Sequence, residues 1–574
     1  MIAYENTHNN EGTLMRTRAV LIAAGALVIA TSLVGCAGAN NFSASPQAGS
    51  PTTAVQKGGT LTILTSATTV NLDPAKSWNL ATTMLGLLDR RLTTWKIDPT
   101  GAPEVVGDLA TDKGTPSEGG KVWTYTLKDG LKFSDGSPIR AQDIKYGIER
   151  TYTPELAGGI GYHKALLAGG DTYKGPYDGK QLASIETPND KTIVFHLNKA
   201  YGDWPWIVST TSTAAVPEGK APVDTFATKP ITSGPYQVES YAAGNQLVLT
   251  RNQYWDAATD AVRTAGPDKI VVEQGQDPTV EAQKLIANAP VDQNSFGADF
   301  VPAAQLALAQ NNADAKSRLL TSDSGALEYL ALNVQSPKLK DLRVRQALEY
   351  AIDRQAFAVA AGGPIAAAPA TTLITPGIAG REEFDLYPAG ESGDPAKAKQ
   401  LLADAGVTSL NLTLISTNDD TTVKKAQAVQ QAFAKAGIEL TLKPEDVDTW
   451  TAQATGAKAG SYDISLSSWQ PDYPSAASNI QPLFDSSQIG GGNYNVSRYS
   501  STKVDDLIAQ ALGTTDSAAA NQLWAQADKA ILTDAAVVPI VYDKNTFLRG
   551  SGVQNFYIGA FPAYPVYPAV SLKQ

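Results

Sequence analysis

Cysteine and histidine are nearly missing from this chain of 574 residues, which has one cysteine, Cys36, and three histidines, His8, His163 and His196. Disulfide frameworks need paired cysteines and structural zinc needs several thiolate or imidazole ligands, so neither can be assembled. A hard-cation site of carboxylates stays compatible with the composition, but no EF-hand-like spacing is present. Cationic excess is missing too: the formal net charge is −11, which argues against nucleic acid or an anionic membrane surface as partner. The motifs of common hydrolases and nucleotide-binding enzymes, G-x-S-x-G, H-E-x-x-H and the P-loop, do not occur. Long apolar runs are confined to residues 19–33, shorter than the roughly 18 residues of a spanning helix. What remains is the composition of a folded protein, 43% hydrophobic and 18% charged. At about 150 residues per domain the length suggests three or four structural units.

The apolar run follows Met15-Arg16-Thr17-Arg18, a basic start preceded by unpatterned polar residues. This is the layout of a secretory signal, with Met15 as the expected start of translation. It ends in Leu33-Val34-Gly35-Cys36, which resembles a bacterial lipobox; the resemblance implies that Cys36 is diacylated and becomes the mature N-terminus. Residues 1–35 carry two acids and two bases, so the mature charge stays at −11. Two acyl chains suffice for stable anchoring. The protein is thus expected outside the cytoplasm, tethered to the bacterial cell membrane without spanning it. Residues 37–57, rich in Ala, Ser, Pro, Thr and Gly, read as a flexible leash of about 25 Å.

The fold is expected to open with a strand at 58–64, followed by the turn Asn71-Leu72-Asp73-Pro74 and a helix at 81–88. Residues 122–150 then read as an alternating strand from Val122, an Asp129-Gly130 turn, a second short strand, a Ser134-Asp135-Gly136 turn and a helix with Ile144 and Ile148 one turn apart. This passage resembles the W-x-Y-x-L-[KR]-x-G-[LV]-K-F-S-D-G-x-P signature of the family 5 extracytoplasmic solute-binding proteins, the peptide-binding receptors of ABC importers. Three more passages match in the family's order: Ser233-Gly234-Pro235-Tyr236 with Arg251-Asn252-Gln253-Tyr254-Trp255; Asn333 with Val344-Arg345-Gln346-Ala347-Leu348-Glu349-Tyr350-Ala351-Ile352-Asp353-Arg354; and Trp469-Gln470-Pro471-Asp472-Tyr473-Pro474. Two departures stand out. Arg140 occupies the place of a threonine N-cap, so that helix must satisfy its first amides otherwise, and Leu332 replaces a phenylalanine.

The resemblance implies an α/β, two-lobe periplasmic-binding-protein-like fold of type II with the extra subdomain of the peptide-binding class and a ligand cleft between lobes. The expected limits are a first lobe at 58–325 with an inserted subdomain at about 97–229, a second lobe at 326–534, and a C-terminal return to the first lobe at 535–574.

The residues support part of this on their own. Asp341 can cap a helix whose Val344, Ala347, Leu348, Ala351 and Ile352 form one apolar stripe, a core feature. Asp394-Pro395 opens a helix that stops at Gly406. Alternating Leu410, Leu412 and Leu414, a helix at 422–436, a strand at 438–442, a helix at 447–455 and the strand with Ile464 and Leu466 follow in β-α-β-α-β order. That order implies parallel strands with ligands beyond their carboxyl ends. The loop from Trp469 to Pro474 leaves one such end.

Asp472, a carboxylate between aromatic rings, suits an ammonium group; the alternative is an ordinary surface turn. Asp472 is expected to pair with a peptide's α-ammonium, as its counterpart does in peptide-binding relatives. Trp469 and Tyr473 either wall the pocket or belong to the core. Trp78 and Asn79 match ligand-facing positions of relatives. Beside Asn493 and Tyr494, Gly490-Gly491-Gly492 either lets backbone approach a ligand or makes a mobile loop. His196 reads as a structural residue of an alternating strand and His163 as part of a polar loop, which weighs against an exported hydrolase. The expected function is a lipid-tethered, non-enzymatic receptor, a monomer without cofactor. It captures an oligopeptide or similar solute by lobe closure and passes it to an ABC permease and its ATPase. A surface sensor on the same scaffold fits equally well. The family also carries sugars, nickel, haem and opine-like solutes, of which nickel and haem sit poorly with three histidines.

Overall fold

Two sheets organise the chain. The computed structural model describes residues 54–456, 458 and 460–574; the expected signal, Cys36 and most of the leash lie outside them. The first lobe is built on a five-stranded sheet in the order Ser295–Gly297, Thr60–Leu64, Lys269–Glu273, Gln246–Arg251, Tyr236–Ala242. The first three strands run parallel and the last two form an antiparallel ladder. Leu61, Ile63, Leu247, Leu249, Ile270 and Val272 are buried in its core.

Between the helix Met84–Leu88 and the strand Tyr236–Ala242 the chain makes a separate four-stranded antiparallel sheet, Thr115–Ser117, Val122–Thr126, Thr192–His196 and Ile185–Asn189. This sheet falls within the expected inserted subdomain. It is covered by the helix Ala141–Arg150, with Ile144 and Ile148 buried as their spacing requires. The Arg140 side chain cannot accept an amide hydrogen, and the helix start is satisfied otherwise: the Arg140 N–H donates to Asp143 at 2.8 Å, and Ala141 N–H donates to the Asp190 carbonyl, in the neighbouring hairpin, at 2.8 Å. At its other end Arg150 forms a bidentate pair with Asp73 at 3.0 and 2.7 Å, both side chains fully buried, which fastens the subdomain to the turn after the first strand.

The second lobe carries a six-stranded sheet in the order Ala367–Pro369, Val537–Asp543, Leu327–Leu332, Ile464–Trp469, Leu410–Thr417, Ile438–Glu445. Leu410–Thr417 pairs in parallel with Ile438–Glu445 and with Ile464–Trp469, so the β-α-β-α-β order produces the expected parallel set. The helices on it start at Asp341, Asp394, Asp419 and Asp446, each of whose side chains accepts from an amide of the first turn.

One boundary differs from expectation. The strand Val537–Asp543 pairs with Leu327–Leu332 inside the second sheet, so the chain leaves that lobe after Asp543 and not at 535. Its residues from Val537 to Tyr542 are buried on both faces, the signature of a central strand, and Pro539 is accommodated where the register shifts between Glu328 and Tyr329. Two antiparallel connections then cross between the lobes side by side, with Ser322 N–H donating to the Asn545 carbonyl at 2.9 Å and Asp543 N–H to the Ala326 carbonyl at 2.8 Å. Beyond them Leu319–Thr321 pairs with Thr546–Leu548. Among the described residues no helix is long and apolar enough to cross a membrane.

Candidate functional site

The loop after Ile464–Trp469 faces the inserted subdomain. Asp472 is half-buried, and its Oδ2 accepts from the Tyr162 hydroxyl at 2.6 Å, a contact between residues 310 apart in sequence. Tyr162 opens the short helix Tyr162–Leu166 of the inserted subdomain. Its ring meets the Tyr473 ring edge-on, with centroids 5.3 Å apart. The Asp472 N–H donates to Ser478 Oγ at 2.8 Å, which ties the loop to the helix Ala476–Phe484. Burial pushes the Asp472 carboxyl above the usual carboxylate range, opposed by the Tyr162 hydrogen bond. Among the described residues no Lys or Arg forms an ion pair with it.

Trp469 and Tyr473 are both buried, at 6% and 1% exposure, and belong to the large core between the subdomain and the second lobe. Trp469 Nε1 donates to the Ser478 carbonyl at 2.8 Å, and its ring packs against Tyr494 at 5.3 Å. Tyr494 is half-buried; burial and then the Asp472 charge raise its phenol. Next to it, Gly490, Gly491 and Gly492 all have φ between 65° and 89°. A Cβ at Gly490 or Gly492 would meet nothing within 4 Å, so within the chain these glycines are required by their left-handed backbone and not by a close neighbour. Asn493 is half-buried, its N–H donating to the Gly490 carbonyl at 3.0 Å.

Trp78 and Asn79 behave differently from each other. Trp78 is 51% exposed. Asn79 Oδ1 accepts from the Thr83 hydroxyl and from Leu85 N–H at 3.4 Å, so it serves the start of the helix Met84–Leu88. Asn79 and Thr83 also line a cavity of about 190 Å³ with Thr65, Asn71, Ala298 and Tyr567, beyond the carboxyl end of Thr60–Leu64.

Four residues at the junction escaped sequence reasoning: Tyr162, Tyr201, Asp203 and Ser475. The Tyr201 and Tyr473 hydroxyls lie 3.0 Å apart, and Ser475 Oγ donates to Asp203 Oδ2. Two of the four had a local signal, since Ser475 caps Ala476–Phe484 and Asp203 precedes a Trp204-Pro205 helix start, but neither signal says what lies opposite. His163 is a correction. It lies in the helix Tyr162–Leu166 and not in a polar loop, is fully buried with Nε2 2.7 Å from Thr151 Oγ1, and burial pushes its imidazole down to about 3.

Two lobes joined by paired crossovers, an inserted subdomain, and an acidic loop turned toward that subdomain define the class of two-lobed extracytoplasmic solute-binding proteins. The chain belongs to the bacterial extracellular solute-binding proteins, family 5, whose pattern it matches over residues 104–491. It is 27% identical to the glutathione-binding protein GsiB of Salmonella paratyphi A over 453 residues, covering 77% of this chain and 82% of that protein. Among solved structures, clavulanic acid biosynthesis oligopeptide binding protein 2 is 31% identical with a TM-score of 0.84, covering 92% of this chain and 97% of the other. The Helicobacter pylori protein DppA in complex with peptide STSA shares the fold at a TM-score of 0.66 and 21% identity, over 90% and 99% of the two chains.

Proposed function

We propose that this protein is the substrate-binding lipoprotein of an ABC importer, and that Asp472 receives the α-ammonium of an oligopeptide or similar solute. The observation that carries the reading is the setting of Asp472. Its carboxylate sits at the junction with the Tyr162 hydroxyl as its hydrogen-bond donor, and among the described residues it has no cationic partner. A ligand ammonium would supply the missing charge, while Tyr162 leaves Oδ1 available to it. Tyr494 and Tyr162 offer ring surface beside that position. The relatives named above are binding proteins, which agrees with a role in which no bond is made or broken.

Closure of the lobes about the paired crossovers would enclose the ligand, and an extended peptide could add its backbone like a strand. Cys36, diacylated, would keep the receptor at the membrane beside its permease and ATPase, with residues 37–57 giving reach. The test is Asp472→Asn titrated calorimetrically with a peptide that binds the unaltered protein: affinity falls by about two orders of magnitude. Unchanged affinity would remove Asp472 from the site. The anchor is checked separately by Cys36→Ser, which moves the protein from the membrane fraction to the medium.

A further inference from the structure

The turn Tyr201-Gly202-Asp203 of the inserted subdomain makes three polar contacts to the second lobe, one from each residue, and they land on three different elements. Tyr201 meets the Tyr473 hydroxyl at 3.0 Å in the acidic loop, and Gly202 N–H donates to the Leu512 carbonyl at 2.6 Å near the end of the helix Thr502–Gly513. Asp203 accepts from Ser475, the residue that caps Ala476–Phe484. Gly202 does not have the positive φ that calls for glycine elsewhere in the chain. What requires glycine is closeness, because a Cβ there would fall on the Thr514 carbonyl oxygen of the second lobe.

We propose that this turn is a clip that holds the second lobe's acidic loop against the inserted subdomain, with Gly202 and Asp203 as positioning residues for the ligand site. Two of its three contacts, at Tyr473 and Ser475, lie one and three residues after Asp472, so release of the clip frees the loop that presents the carboxylate. The part of this inference that concerns ligand affinity rests on the assignment of Asp472; the part that concerns closure does not.

The chemistry of Asp203 gives the clip a pH dependence. Its carboxylate sits before the N-terminus of the nine-residue helix Ala476–Phe484, reached through Ser475. The ionisable groups facing it are the phenols of Tyr201 and Tyr473, both raised by burial and neutral through the acidic range. The Ser475 hydrogen bond is the one influence opposing burial, and the carboxyl is pushed up to about 6. Closure buries this group, so the closed arrangement binds its proton more tightly than the open one, and the clip strengthens as pH falls through about 6. An uncharged Asn at this position can still accept from Ser475 and has no proton to lose.

The experiment measures closure without any ligand. The mature protein with Cys36→Ser carries spin labels at Lys174→Cys in the inserted subdomain and Lys503→Cys in the second lobe, both exposed. Pulsed EPR distances are recorded at pH 5 and pH 8. The expected result is a short-distance population that at least doubles from pH 8 to pH 5 in the otherwise unaltered protein. In Asp203→Asn it is already high at both pH values, and in Gly202→Ala it falls severalfold at both, with unchanged far-UV circular dichroism. An Asp203→Asn protein that keeps the original pH response, or a folded Gly202→Ala protein with the original distances, overturns the clip; should Gly202→Ala not fold, the Asp203→Asn profile alone decides. Peptide titration of Gly202→Ala is expected to show at least a tenfold loss of affinity. Unchanged affinity of Asp472→Asn together with the expected distances would sink the ligand assignment and leave the clip standing.

Discussion

The carboxylates of two regions in this protein are treated in opposite ways. In the first lobe Asp108 lies among guanidinium groups, with Arg90 Nε at 2.7 Å and Arg263 Nη2 at 3.0 Å, all three side chains at most 2% exposed. Against the cost of burial, Arg263 and Arg90 hold its carboxyl well below the usual range. At the junction Asp472 and Asp203 face hydroxyls, and burial raises both. The first arrangement is complete within the chain and suits a permanent structure. The second leaves charge to be compensated from outside, which suits a surface that meets a cationic ligand end or that must open and close.

The comparison fails if both kinds of carboxylate matter equally for folding. Asp108→Ala leaves Arg90 and Arg263 to share Asp260 as their one buried carboxylate partner and is expected to cost about 3–5 kcal/mol, read as a large drop in the urea midpoint. Asp472→Asn, by contrast, is expected to leave the midpoint unchanged or slightly higher while peptide affinity falls about a hundredfold, because the lost charge opposed burial in the free protein. Tyr162→Phe sharpens the contrast: loss of one hydrogen bond to a charged group weakens peptide binding by about tenfold in calorimetry.

A smaller effect appears in the pH dependence of stability. Burial pushes Asp89 and Asp528 up to about 7 and Glu349 up to about 8. Their unfolded values are about 4, so the folded state binds more protons between these limits and stability declines as pH rises through that window. Asp108 acts in the opposite sense, contributing above about pH 4 and losing that contribution as pH falls further. Melting temperatures recorded from pH 4 to pH 9 are expected to peak near about pH 5. The smallest effect is Trp78→Ala, which at 51% exposure shifts the midpoint by less than about 0.5 kcal/mol.

Much of the fold could be read from local chemistry. Asp341 and Asp394-Pro395 mark helix starts, Gly406 with φ 73° marks a stop, and the β-α-β-α-β order between Leu410 and Trp469 yields parallel strands. These features depend on neighbours in sequence, where cap and period have fixed meanings. The junction depends instead on contacts between residues 272 and 310 apart, and nothing in Gly161-Tyr162-His163 or Tyr201-Gly202-Asp203 announces a partner. Asp472 is a candidate from sequence because its loop leaves a strand's carboxyl end between aromatic residues. Its partner Tyr162 is not, because a polar sequence rich in glycine hides the short helix whose His163 is buried. The strand Val537–Asp543 read as part of the tail because an all-apolar run does not say which sheet it completes.

The claim that a ligand's free ammonium is held by Asp472 is tested most directly by native mass spectrometry of the mature protein with two peptide mixtures of two to five residues, one unmodified and one N-acetylated throughout. Adducts with the unmodified peptides alone are the predicted result, since acetylation removes the charge and leaves the rest of each peptide in place. Equal binding of the acetylated mixture, or binding of neither, would contradict it.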